Sequence, residues 1–217
     1  MKCYIICIQT LCGRISPVGF GSQKDRHHLE RWRHRTDATL LGAGSLREGD
    51  PKLEVPFGKV PQRRVRALIT MSGDIPTNKS IFGSGPKPFI FCSKKEEENL
   101  KRRFSDMAHL FPVDLLAPRE LDLTRVCHIL EEHGVKRLLI EGGGTLNFYA
   151  LKQKIADELI VTIAPKLLTS NRGIRLVQGE CDLGHPFMNL ELISCKTHLE
   201  TGELFLRYRI KKEQDIG

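Results

Sequence analysis

Residues 138–145 read Leu-Leu-Ile-Glu-Gly-Gly-Gly-Thr and carry the clearest structural signal in this chain of 217 residues. An apolar strand runs into three glycines and then into the start of a helix. Bare backbone N–H groups at a helix N-terminus bind phosphate oxygens. The alternative is a tight turn that uses glycine only for its φ freedom. Three consecutive glycines exceed what a turn requires, so we expect a phosphate site. The motif is not G-x-G-x-x-G, which argues against an ordinary Rossmann domain.

The flanking sequence alternates between strand and helix patterns. Ser22 is a typical N-cap for a helix at 24–35, and Gly134 is a typical C-cap for a helix at 121–133. A hairpin is predicted around Thr201 and Gly202. The pattern predicts a single α/β domain spanning 1–217, with a mostly parallel sheet and an antiparallel C-terminal hairpin. The other predicted strands are 3–8, 38–41, 64–70, 88–92, 111–113, 137–140, 158–164, 189–197 and 203–210, and the other predicted helices are 94–103 and 146–154.

The composition is that of a globular protein with a basic surface. The formal charge of +8 and the pI of about 9.2 favour an anionic partner, although charge alone does not separate nucleic acid, membrane and phosphorylated small molecules. Seven cysteines without a C-x-x-C pair favour a reducing compartment over disulfides or a zinc site. No apolar run approaches the roughly 18 residues of a membrane span. We therefore expect a cytoplasmic protein without a membrane partner.

Three blocks of sequence resemble one known family. Residues 136–168 (KRLLIEGGGTLNFYALKQKIADELIVTIAPKLL), 22–44 and 10–16 look like signature segments of the riboflavin-pathway pyrimidine reductases. The resemblance implies a dihydrofolate-reductase-like three-layer α/β sandwich and a homodimer. The H-x-E and P-C-x-x-C elements of the companion deaminase are absent, so we expect a stand-alone reductase.

The resemblance also implies an activity and a cofactor. Such enzymes, among them the 5-amino-6-(5-phosphoribosylamino)uracil reductases, transfer hydride from NADPH to C1′ of the ribosyl group of an aminopyrimidine 5′-phosphate. Gly142, Gly143, Gly144 and Thr145 would then hold the cofactor pyrophosphate, and Gly42 and Ser45 would border the cofactor cleft. Glu141 would stand where nicotinamide and substrate meet, as the catalytic candidate. A strand-end carboxylate that only bonds nearby backbone is the equally weighted alternative.

The substrate side of the family pattern is less complete. The resemblance places Arg14 and Ser22 there, with Arg14 able to meet a substrate or cofactor anion, and Asp50 could serve from the position next to the motif aspartate. Cys12 occupies the place of a motif aspartate, while Gly49 and Pro56 replace an aspartate and an arginine. These departures keep open a reductase of another pterin-like or pyrimidine substrate.

Candidates for the 2′-phosphate of NADPH follow from the residues themselves. Ser93, Lys94 and Lys95 come after a predicted strand and begin a helix, where ligands of α/β sheets bind. Lysines at a helix start also commonly face water, and that alternative has equal weight.

A third hypothesis is a non-catalytic nucleotide- or nucleic-acid-binding protein. The basic run at 26–35 contains Trp32, which is able to stack on a base. On a helix, however, Trp32 shares a side with Leu29, so packing is the better interpretation. His27 and His28 point in different directions and make a poor metal pair, so we expect no metal and no nucleic-acid partner.

Overall fold

The computed structural model describes residues 1–16, 19–170, 172–181, 183 and 187–211. They form two compact units. The first comprises Met1 and residues 30–139, and the second comprises residues 2–29 and the chain from Ile140 onward. Two short 3-10 turns occur at Pro56–Gly58 and Lys94–Glu96.

The structure contains the predicted helices and strands together with several short additional ones. In chain order they are β1 (Lys2–Thr10), α1 (Gln23–Arg35), β2 (Ala38–Gly42), α2 (Ala43–Glu48), β3 (Val65–Thr70), α3 (Ser80–Gly83), β4 (Phe89–Ser93), α4 (Glu97–Phe104), β5 (His109–Val113), β6 (Leu115–Ala117), β7 (Glu120–Leu121), α5 (Leu123–Glu132), β8 (Arg137–Ile140), α6 (Gly144–Lys152), β9 (Glu158–Ala164), β10 (Leu190–His198) and β11 (Glu203–Ile210).

The first unit is built on strands in the order β8-β2-β3-β4-β5. Strands β2, β3, β4 and β5 are parallel, so their carboxyl ends lie along one edge. Leu46, Leu68, Ile90 and Leu100 are fully buried and join α2 and α4 to the strands in one apolar core. The separate pair β6–β7 is antiparallel.

The second unit is built on strands in the order β10-β11-β9-β1. Strands β1 and β9 are parallel and pair from Tyr4–Glu158 to Thr10–Ala164. Strand β11 runs antiparallel to both β9 and β10. The predicted combination of a mostly parallel sheet with an antiparallel C-terminal hairpin is confirmed.

Helix ends agree with the predicted caps. Lys24 N and Asp25 N donate to Ser22 Oγ at 3.0 and 3.2 Å, so Ser22 caps α1. Gly134 has φ +81° directly after α5, the left-handed conformation that a glycine C-cap supplies. Helix α6 begins at Gly144, two residues before the predicted start. The short helices α2 and α3 were not predicted, and the predicted helix at 94–103 divides into a 3-10 turn and α4.

Candidate active site

The first turn of α6, in the second unit, follows the three glycines that the sequence predicts to form a phosphate site. Gly142 has φ +69°, Gly143 is the N-cap, and Gly144 begins the helix. Among the described residues, no acceptor meets the N–H groups of Gly144 and Thr145. These groups lie at the positive end of the helix dipole, where a phosphate oxygen binds favourably.

Two of the three glycines are required for different reasons. At Gly142 the positive φ is accessible to glycine at little cost, and a Cβ there would lie 3.3 Å from the amide of Asn147. At Gly144 a Cβ would lie 2.4 Å from the carbonyl oxygen of Arg175. The space beside Gly144 is therefore filled by the protein's own backbone, and a side chain at this position would collide with it.

Residues 172–179, which we call the crossing segment, join the glycine turn to the loop after β1. Gln178 N donates to Gly144 O at 3.1 Å, next to the α6 N-terminus. Nearer its start, Ile174 N donates to Ser16 Oγ at 2.7 Å, and Arg14 Nη1 donates to Gly173 O at 3.3 Å. The crossing segment thus brings the predicted Arg14 and the predicted glycine turn into one cluster.

Asn147 adds a buried polar group to this cluster. Its side chain is fully buried, and Nδ2 donates to Leu176 O at 2.9 Å. Its Oδ1 has no hydrogen-bond partner among the described residues. A buried unsatisfied carbonyl is costly, so this oxygen is a natural acceptor for a donor group on a bound molecule or water.

Glu141 lies between the last residue of β8 and Gly142, and it is half-buried. Chain connectivity therefore places Glu141 directly before the glycine turn. This position is compatible with a catalytic or a structural carboxylate.

Cys12 is an exposed thiol in the loop after β1. Its Sγ lies 3.2 Å from Thr10 Oγ1 and accepts a hydrogen bond from Leu168 N at 3.3 Å. The Thr10 hydroxyl is the main cause of a lowered thiol pKa. The sulfur therefore provides a polar group where the family pattern has aspartate, although it carries less negative charge than a carboxylate near neutral pH.

Ser22 is engaged within the protein. Its hydroxyl donates to Glu203 Oε2 at 2.5 Å while accepting from the first turn of α1. Glu203 is only 2% exposed and also accepts from Ser22 N at 2.9 Å. A substrate contact by Ser22, as predicted, would have to replace one of these hydrogen bonds.

Asp25 forms a second carboxyl group beside Glu203. Burial raises its pKa to about 6, the Glu203 charge adds to the rise, and a hydrogen bond with Thr162 opposes it. Thr162 on β9 is itself buried. Desolvation of the charged form is thus the dominant effect, and Asp25 keeps a proton at a higher pH than an exposed aspartate does.

In the first unit, the predicted cofactor residues collect at one sheet edge. Gly42 ends β2, Ser45 lies in α2, and Ser93 ends β4. Ser93 Oγ donates to Met71 O at 3.4 Å, just after β3. Lys94 pairs with Asp114 at 2.6 Å and both side chains are exposed, so this ion pair contributes little. Lys95 is also exposed.

Asp50 has a structural partner in the same unit. Its carboxylate accepts from Ser80 N at 2.8 Å and from Ser80 Oγ at 2.6 Å, at the start of α3. The Ser80 hydroxyl is the main cause of a lowered Asp50 pKa. Asp50 therefore holds its loop against α3.

Each unit, taken by itself, offers donor groups that suit a phosphate. Open amide groups at the α6 N-terminus suit a pyrophosphate, and exposed lysines after β4 suit a phosphate monoester. Sequence reasoning missed Arg175 and the group formed by Asp25, Thr162 and Glu203. Each depends on contacts between distant parts of the chain, which no local pattern indicates. Among the described helices, none is long and apolar enough to cross a membrane.

A family model described as the RibD C-terminal domain matches residues 7–201. The 2,5-diamino-6-ribosylamino-4(3H)-pyrimidinone 5′-phosphate reductase of Methanothermobacter thermautotrophicus is 27% identical over 188 residues, covering 83% of this chain and 86% of the relative. The reductase of the same name from Archaeoglobus fulgidus is 23% identical over 167 residues, covering 73% and 75%.

Solved structures support the fold. A pyrimidine reductase-like protein of Corynebacterium diphtheriae superposes with a TM-score of 0.81 at 21% identity, covering 98% of this chain and 92% of its own. A dihydrofolate reductase of Enterococcus faecalis, solved with NADP(H), gives a TM-score of 0.55 at 11% identity, covering 97% of this chain and 97% of its own. The predicted dihydrofolate-reductase-like fold is therefore confirmed.

Proposed function

This chain belongs to the RibD C-terminal domain family, and we propose that it reduces the ribosyl group of 2,5-diamino-6-ribosylamino-4(3H)-pyrimidinone 5′-phosphate to a ribityl chain in riboflavin biosynthesis, with NADPH as the reductant. The observation that carries the proposal is the glycine turn at the α6 N-terminus, which offers open amide groups to a phosphate directly after Glu141. The match spans residues of both units, which supports treating them as one reductase domain.

When bound, a reduced nicotinamide supplies the hydride for ribosyl C1′. The protein's own contribution is binding and orientation. The amide groups of Gly144 and Thr145 hold the pyrophosphate, and Lys94 and Lys95 bind the 2′-phosphate that distinguishes NADPH from NADH. Arg14 attracts an anionic group, and Glu141 positions the substrate or stabilises developing positive charge.

The test is a turnover assay with purified protein, NADPH and the diaminopyrimidinone substrate. We expect loss of the reduced-nicotinamide absorbance and formation of the ribityl product. The deaminated aminouracil counterpart, run in parallel, decides which of the two pyrimidines is reduced faster. Tight NADPH binding without turnover of either pyrimidine would overturn the proposed substrate and leave the proposed cofactor unchanged.

A second candidate, a reductase of a different pterin-like or pyrimidine substrate, is favoured by one observation. The Cys12 thiol lies where the family pattern has a carboxylate, so a substrate group that needs a full negative charge is held less well. A panel of pterin and pyrimidine substrates with the same NADPH assay separates the two candidates.

Nucleic-acid binding is less well supported. Trp32 is only 6% exposed, and Arg35 lies over its ring at 5.6 Å, so the ring offers no free face for base stacking.

A cytoplasmic location is supported by seven free cysteines.

We also propose a homodimer, and the β10–β11 hairpin supports it. Leu190 and Leu192 on β10 are 39% and 54% exposed, and they lie opposite Ile210 and Tyr208 on β11. An apolar face on a strand at the end of the strand order is a common interface. Sedimentation of the protein and of Leu192→Glu tests this: the variant should sediment as a monomer.

A further inference from the structure

Arg14 and Arg175 face each other in an isolated antiparallel bridge of the second unit. Ile15 N donates to Ile174 O at 2.9 Å, which makes Arg14 and Arg175 a non-hydrogen-bonded pair. At such positions, opposite residues come closest, with Cα atoms about 4.5 Å apart. Like charges directly opposite each other are destabilising.

The two guanidinium groups have no ion-pair partner in the part of the chain that the structure describes. Arg14 Nη1 donates to the carbonyl of Gly173, and the backbone N–H of Arg175 donates to Gln178 Oε1. Among the described residues, no carboxylate lies within ion-pair distance of either side chain. With no carboxylate from the described residues between them, the two facing cations offer a place for an anion.

The same bridge adjoins the glycine turn. The carbonyl oxygen of Arg175 lies 2.4 Å from the position of a Cβ on Gly144, and Gln178 N bonds Gly144 O. Arg175 is exposed and Arg14 is half-buried, so both are accessible to a ligand. The open N–H groups of Gly144 and Thr145 therefore belong to the same neighbourhood as the two arginines.

We propose that Arg175 and Arg14 form a clamp for a phosphate group of a bound substrate, beside the amide groups of Gly144 and Thr145. The inference rests on the proposed function for the identity of that substrate. A planar guanidinium binds two phosphate oxygens at once, and two such groups from opposite strands enclose the anion. The phosphate is either the pyrophosphate of the dinucleotide or the 5′-phosphate of the pyrimidine.

The experiment compares Arg175→Gln with Arg209→Gln as a matched control. Arg209 is an exposed arginine of the same unit, paired with Glu191 at 2.8 Å away from the bridge. Titration calorimetry with inorganic pyrophosphate needs no turnover. Arg175→Gln should weaken pyrophosphate binding roughly ten- to a hundredfold, the scale of charge-assisted hydrogen bonds, and the control should not. Equal pyrophosphate affinity in the wild type and Arg175→Gln would overturn the clamp.

Ligand measurements identify the source of the phosphate. An equal loss of NADPH and NADH affinity in Arg175→Gln indicates the dinucleotide pyrophosphate. A higher KM for the phosphorylated pyrimidine but not for its dephosphorylated form indicates the 5′-phosphate. If the wild type turns over neither pyrimidine but Arg175→Gln still weakens pyrophosphate binding, the proposed function is wrong and the proposed clamp is retained.

Thermal unfolding adds a readout that separates a clamp from a structural bridge. Removing one of two facing cations should leave the ligand-free protein equally or more stable. A lower melting temperature of Arg175→Gln together with unchanged pyrophosphate binding would make Arg175 structural and overturn the clamp.

Discussion

Ser22 and Glu203 are joined by two hydrogen bonds, from Ser22 N to Oε1 at 2.9 Å and from Ser22 Oγ to Oε2 at 2.5 Å. This connection ties the start of α1 to the start of β11 and places a buried carboxylate beside Asp25. Two acidic groups therefore share one partly dry environment, and the protein's stability should depend on whether Asp25 is protonated.

Asp25→Asn should stabilise the protein at neutral pH. The folded-state pKa of Asp25 is raised to about 6 by burial. The folded state therefore binds more protons between about pH 4 and 6, and stability falls as pH rises through that range. Asparagine removes the penalty, which should increase the free energy of unfolding at pH 7.5 by on the order of 1–3 kcal/mol and leave it unchanged near pH 4. Urea unfolding across pH measures this.

Asp50→Asn serves as a control in which stability should change in the opposite direction. The pKa of Asp50 is lowered by Ser80, so its ionised form contributes stability above its unfolded pKa, and that contribution is lost as pH falls. Asp50→Asn should lower stability at pH 7.5. If both variants change stability in the same direction, the assignment of the Asp25 penalty to burial is wrong.

Gly144→Ala should destabilise the second unit. Its Cβ would overlap the carbonyl oxygen of Arg175, forcing the crossing segment away from α6. We expect a loss of about 1–3 kcal/mol, the usual range for overpacking, together with weaker NADPH binding. Gly134→Ala is the comparison: its φ is positive but its surroundings are open, so about 1 kcal/mol of strain is expected without a binding effect. If Gly144→Ala keeps its NADPH affinity, the position of the crossing segment does not affect cofactor binding.

Removing the lysines after β4 should discriminate between the two nicotinamide cofactors. The double variant Lys94→Gln, Lys95→Gln should weaken NADPH by about 1–3 kcal/mol and leave NADH nearly unchanged. Because Lys94 already pairs with Asp114, Lys95→Gln alone should account for most of the loss. Lys101→Gln in α4, where the lysine pairs with Glu97, is the control. Equal losses of affinity for NADPH and NADH would show that the 2′-phosphate binds elsewhere, and Arg172 would be the next candidate.

Glu141→Gln tests the carboxylate beside the glycine turn. The substitution keeps the size of the side chain and removes its charge. If the charge acts on the reaction, turnover should fall roughly ten- to a thousandfold with NADPH affinity unchanged. Initial rates, fluorescence titration of NADPH and thermal unfolding together decide the role. Lower stability with full activity of the folded fraction would make Glu141 structural.

The sequence predicted the regular elements because their signals are local. Alternating apolar residues in β1 and β9, the Ser22 cap and the Gly134 cap each act within a few positions. Helix α2 escaped prediction because Gly42 and Gly44 resemble a loop, although the helix is stabilised by burial of Leu46. Tertiary packing overrides weak propensity there.

The candidate site was predictable only in part. Residues 141–145 stood out because three glycines follow a strand, and the structure places them at a helix N-terminus with open amide groups. Arg175 and Asp25 did not stand out. An exposed arginine in an irregular segment has no periodicity. The raised pKa of Asp25 arises mainly from burial, to which the charge of Glu203 adds, and Glu203 lies on a strand much later in the chain.

The second unit is discontinuous in sequence, since residues 2–29 join the chain only after Ile140. During synthesis on the ribosome, β1 pairs with β9, its partner within this unit, only after β9 has been made. The hydrogen bonds between Ser22 and Glu203 likewise form only after Glu203 has been added. The first unit has most of its own contacts available earlier, because it is otherwise continuous from residue 30 to residue 139. We therefore expect residues 2–29 to remain exposed to chaperones until β9 and β11 have been synthesised, so that the second unit folds after the first.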